Sequence, residues 1–133
     1  MVLVAGVAYA KQGVTDPQVI ARQEVMGIIA TNTKTLGEMA GGKIPFDATA
    51  AASAKTALAA AAAEVPAKFE PQATDPLTEA KPEVWTNWDQ FVAKSEALLK
   101  AAEAVDTASP ETIGAGMGAI GGACKDCHST FRM

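Results

Sequence analysis

The chain has 133 residues, enough for one domain with its own core and too few for two. Nearly half are apolar (49%) but only 5% are aromatic, and alanine dominates, which favours closely packed helices over a sheet. A formal charge of −4 without any Lys/Arg cluster argues against a nucleic-acid surface, and no stretch approaches the ~20 apolar residues that span a bilayer.

From Val2 to Ala10 the chain is apolar and uncharged, it ends in Ala8-Tyr9-Ala10, and Lys11 is its first charge. This pattern matches the back half of an export signal with a small-X-small cleavage site. Residues 1–15 are therefore expected to be an N-terminal extension holding a leader remnant, with the folded domain over 16–133. An ordinary extension packed on the first helix is the alternative. Asp16-Pro17 reads as a cap followed by proline at the first helical position, so a helix is expected over 17–40, stopped by Gly41-Gly42. Met26, Ile29, Thr33, Leu36 and Ala40 form its inward stripe.

Asp47 opens a second helix, expected over 47–64, with Ala51, Ala54, Leu58, Ala61 and Val65 inward and an end before Pro66. Four prolines (66, 71, 76 and 82) exclude a continuous helix and leave a connection long enough to cross an end of the bundle. Pro82 opens a third helix, 82–105, bearing Trp85, Trp88, Phe91, Leu98 and Val105. Ser109-Pro110-Glu111 repeats the cap signal and starts a fourth over 110–131. The fold class is all-α, an antiparallel four-helix bundle. In the last helix Gly114, Gly116, Gly118, Gly121 and Gly122 each cost about 1 kcal/mol relative to alanine. Their expected return is close approach by a flat ligand or by a neighbouring helix.

That glycine-rich stretch leads into Cys124, Cys127 and His128, the pattern Cys-X-X-Cys-His. On a helix, positions i, i+3 and i+4 share a face, so two thiols and an imidazole address one object. The chemistry this suits is a single covalent haem c, with thioethers from both cysteines to its vinyl groups and the histidine on iron. Rival readings are weaker. A redox dithiol starts a helix after a strand, zinc wants four ligands where the chain has no other Cys or His, and a catalytic thiol needs a base. With the lone histidine spent, the opposite axial position falls to methionine or a weaker donor, or stays open. Of Met1, Met26, Met39, Met117 and Met133, Met117 shares the haem's own helix, and Met39 lies about 20 Å beyond Met26 at 1.5 Å per residue. In an up-down bundle Met26 stands level with Cys124 to His128 and is the expected sixth ligand; otherwise it only packs on the macrocycle.

A haem motif on the last helix of such a bundle resembles cytochrome c′ and its low-spin relatives, over essentially Asp16 to Arg132. Arg22-Gln23 with Met26, Thr78-Glu79-Ala80-Lys81 followed by Trp85, and Cys124 to His128 followed by Phe131-Arg132 carry the resemblance. It implies that Arg22 and Gln23 lie against the haem, that the residue four after the arginine sits over the iron, and that Thr78 and Glu79 reach the haem edge. From the residues alone, Arg22 suits a haem propionate or a solvated helix surface, and Glu79 and Lys81 have the same surface alternative. Arg132 suits the helix dipole. Trp85 and Trp88 read as core.

The function expected is that of a periplasmic electron carrier with iron between His128 and Met26, exchanging electrons with redox partner proteins. The alternative is five-coordinate iron screened by Met26 and open to NO or CO. No acid–base pair or nucleophile constellation points to an enzyme. A monomer is expected, although the resemblance also implies homodimers through the first two helices.

Overall fold

Asp16 stands extended ahead of the first helix, and its carboxylate accepts from the N–H groups of Gln18 (2.9 Å) and Val19 (3.1 Å). Pro17, which has no N–H to satisfy, takes the first helical position. In the computed structural model, which describes residues 10–133, this helix, α1, runs Pro17–Ala40 and ends where Gly42 turns to φ +76°. The leader reading, apart from Ala10, and Met1 lie outside the described residues.

Asp47 caps α2 (Ala48–Phe69) by accepting from Ala50 N–H at 2.8 Å. The second helix thus continues a full turn past its expected end and carries Pro66 inside it. Only that last turn follows the proline, and the Pro66 carbonyl still accepts from Glu70 N–H at 2.9 Å. The extra turn buries Phe69 against Phe91, with ring centroids 5.2 Å apart. Burying such a side chain is worth ~1.5–3 kcal/mol, close to the ~3 kcal/mol that an internal proline costs.

The third helix is interrupted rather than continuous. A short α3 (Glu83–Thr86) and a longer α4 (Trp88–Ala104) meet at Asn87, whose φ/ψ of −121°/46° leave the helical region. Across this break Trp85 donates its Nε1–H to the Phe69 carbonyl at 2.7 Å, while Trp88 stacks on Phe91. Finally, α5 (Pro110–Phe131) starts from a reciprocal cap: Ser109 Oγ accepts from Thr112 N–H, and Thr112 Oγ1 accepts from Ser109 N–H.

The four long helices pack in chain order around a square, α1 on α2, α2 on α4, α4 on α5 and α5 on α1. Contacts between opposite helix ends, such as Arg22 over Phe69 and Phe91 on Phe131, make neighbours antiparallel. No strand occurs among the described residues; an isolated bridge joins Ala80 to Arg132. All five expected inward positions of α2 are buried. On α1 the buried set is instead Val19, Arg22, Val25, Ile29, Leu36 and Met39, with Met26, Thr33 and Ala40 half-buried.

None of the glycines of α5 is among the residues that line the cavity beside His128. A Cβ on Gly116 would come within 2.9 Å of Val105 Cγ2, so this glycine lets the end of α4 close onto α5. Gly118, Gly121 and Gly122 face open space. Gly118→Ala and Gly121→Ala should each therefore raise stability by about 1 kcal/mol. Gly116→Ala should lower it by a similar amount because the added methyl overpacks the contact. Urea midpoints of the three variants check this, and a stabilised Gly116→Ala protein would contradict it.

Candidate functional site

The register of α1 on α5 is fixed at the far end of the bundle. A Cβ on Gly37 would lie 3.7 Å from Met117 Cε, and one on Gly114 3.8 Å from Ala40 Cβ. Both helices rise equally per residue, so the same pairing carried towards the C-terminus of α5 sets Ala30 level with Cys124, Met26 with His128 and Arg22 with Arg132.

At that end the helices part around a cavity of about 490 Å³, within the size range of cofactor sites. All eight candidate residues line it: Arg22, Gln23 and Met26 from α1, Thr78 and Glu79 from the connection, and Cys124, Cys127 and His128 from α5. Met26 is the sole methionine of the described residues to do so. Met39 is buried in the core, Met117 lies beside Gly37, and Met133 is exposed. Neither tryptophan lines the cavity, in keeping with their reading as core. Thr33 lines it as part of the expected inward stripe, and Lys11 and Lys94 line it without any local sequence signal.

The local chemistry does not favour an activated thiol. Burial, with help from Cys124 and Asp126, pushes the Cys127 thiol up to about 11, and burial raises Cys124 as well. A reactive cysteine needs the opposite shift. Burial first, and then Arg132, pushes His128 below its ordinary value, leaving a neutral imidazole with a lone pair free for metal. Among the described residues no group of three or more His, Cys, Asp or Glu gathers to hold a metal ion by itself.

Arg22 is no solvated helix charge: it is 2% exposed. Nη1 donates to the Ala73 carbonyl at 3.1 Å and Nη2 to that of Pro71, and the guanidinium carbon lies 4.9 Å from the Trp85 ring and 5.6 Å from that of Phe69. Gln23 bridges Lys11 N–H and the Leu77 carbonyl, and Thr78 Oγ1 accepts from Ala80 N–H. Lys11 and Arg132 share Glu79, each at 3.1 Å, and hold its carboxyl below the ordinary range; Lys94 pairs with Asp126. Arg22 has no such partner among the described residues, and its Nε and Thr33 Oγ1 are the buried side-chain atoms left without a hydrogen bond. Thr35 and Thr56 turn their hydroxyls back onto the carbonyl four residues earlier; Thr33 does not.

A haem fits this donor set. Its apolar ring suits the walls of Ile29, Val65, Phe91 and Leu98, its carboxylates suit a buried cation without a counter-ion, and its vinyl groups and iron suit two thiols and an imidazole.

Comparison with known proteins agrees. The family described as Cytochrome C' matches residues 17–132. The cytochrome c' of Pararhodospirillum photometricum is 38% identical over 120 residues, covering 84% of this chain and 92% of that protein. Cytochrome c-556 of Agrobacterium tumefaciens (strain apple 185) is 33% identical over 117 residues, covering 85% and 92%. The solved structure of cytochrome c' from Rhodobacter Spheriodes superimposes with a TM-score of 0.79 at 31% identity, over 87% of this chain and 95% of that one. The chain belongs to the cytochrome c′ family, four-helix-bundle proteins that carry a covalently bound haem c and serve as electron carriers or gas binders.

Proposed function

We propose that the chain is a periplasmic, single-haem electron carrier, with thioether bonds at Cys124 and Cys127 and iron held between His128 and Met26. The observation that carries this reading is the register: Met26 and His128 stand level on two antiparallel helices and line one cavity. Bound haem supplies a one-electron couple, and a thioether opposite an imidazole favours the reduced state. Neutral His128 offers its lone pair without first losing a proton. Arg22 adds a buried positive charge that opposes a further positive charge nearby. Export is supported by the leader-like run ending at Ala10, and no helix of the described residues is long and apolar enough to cross a membrane. The partner is then another redox protein, and the chain acts as a monomer.

Optical spectra of both oxidation states test the ligation. Wild type should be low-spin in each, with a sulfur-to-iron charge-transfer band when oxidised. Met26→Ala should turn high-spin and bind CO at least tenfold more tightly than wild type. A wild type already high-spin, taking up CO or NO as readily as the variant, would make Met26 a lid and the protein a gas binder.

A further inference from the structure

Residues 70–82 wall the cavity at Thr78, Glu79 and Ala80, and their backbone covers Arg22. No apolar side chain in this segment is buried. Its one buried residue is Asp75, 8% exposed, and Leu77 faces solvent. What fastens the segment to α1 is polar throughout. Asp75 Oδ2 accepts from the N–H groups of Thr15 (3.0 Å) and Asp16 (3.1 Å), while Oδ1 accepts from Leu77 N–H at 2.9 Å. Arg22 donates to the carbonyls of Pro71 and Ala73, and Gln23 to that of Leu77.

Both ends of the segment are anchored differently. Phe69 is buried before it. Towards its other end, Lys81 N–H donates to the Phe131 carbonyl at 2.9 Å and Met133 N–H to that of Glu79 at 2.8 Å. A stretch held by hydrogen bonds, with no apolar side chain fully buried and only Ala80, near its end, packed against the core, is the kind that opens below the global unfolding limit.

We infer that residues 71–78 form a hinged strap, latched to the start of α1 by Asp75 and Arg22, that opens over the Arg22 end of the cavity while the bundle stays folded. Opening exposes the guanidinium and, on the function proposed above, the carboxylate edge of the haem to solvent and to a docking redox partner.

Native-state hydrogen exchange of the haem-loaded protein across sub-denaturing urea tests this. The amides of Thr15, Asp16, Leu77 and Thr78 should exchange at least a hundredfold faster than those of Leu58 and Ile120, at rates insensitive to urea. Asp75→Asn, which leaves one acceptor oxygen for three backbone donors, should speed the first group at least tenfold while its exchange stays insensitive to urea. If all these amides share the urea-dependent exchange of Leu58, or if Asp75→Asn leaves the exchange of the first group unchanged, the strap does not open separately. An absorption spectrum of the same sample reports the iron ligands independently, so failure of the ligation reading and failure of the strap are told apart.

Discussion

Replacing Cys124 and Cys127 together with alanine will leave a chain that gives up its haem to acid extraction and, once empty, loses the native bundle. The magnitude follows from the cavity. Keeping about 490 Å³ empty and dry, at ~24 cal/mol per Å³, costs about 12 kcal/mol, against a total stability of ~5–15 kcal/mol for a domain of this kind. Water entering at the polar rim lowers that figure, but the apolar walls at Ile29, Val65, Phe91 and Leu98 would then be wetted instead. Either way the start of α1, the last turn of α2 and the start of α4 lose their common partner. Far-ultraviolet circular dichroism should still show helix, because the core around Leu36, Ala51, Leu58 and Ile113 lies outside the cavity lining. Thermal unfolding should become broad and weakly cooperative. Each single cysteine variant keeps one thioether and should retain haem through denaturation. A haem-free double variant melting as sharply as the loaded protein would mean that the cavity closes by repacking.

The parts of the fold legible in the sequence are those set by local chemistry. Asp16-Pro17, Gly41-Gly42 and Ser109-Pro110 mark helix ends because each satisfies or terminates backbone groups within a few residues. The spacing of Cys124, Cys127 and His128 needs only one helix, and Met26 follows from helix length once neighbours are antiparallel. Features set by distant partners were not legible. Pro66 is tolerated because Phe91, on another helix, receives Phe69. The burial of Arg22 depends on carbonyls about fifty residues along the chain. Lys94 reaches the cavity through its pairing with Asp126, which requires the register of α4 on α5. The glycines of α5 were legible only in part: their cost is local, but which face they occupy is a matter of packing, so Gly116 admits the end of α4 while most of the others face solvent.

Replacing Arg22 with methionine should cost about 2–4 kcal/mol of stability in the haem-loaded protein and lower its midpoint potential. Two losses drive the first effect. The carbonyls of Pro71 and Ala73 lose their donors, at ~1–3 kcal/mol for a buried group left unsatisfied, and the stacking on Trp85 and Phe69 loses a cation–π term of ~0.5–2 kcal/mol. Relief from holding a charge in a buried site offsets part of this, which is why the full sum is not expected. The potential falls because oxidation adds a positive charge to the haem, and Arg22 is the cavity cation with no carboxylate partner among the described residues to cancel its own. Arg22→Lys separates the two roles. A single ammonium keeps the charge but not the planar fork that reaches two carbonyls, so that variant should hold its potential near wild type while its urea midpoint still drops. Potentiometric titration and urea unfolding of both variants decide the matter. Wild-type potential and stability in the Arg22→Met protein would mean that the guanidinium neither fastens the strap nor charges the cavity.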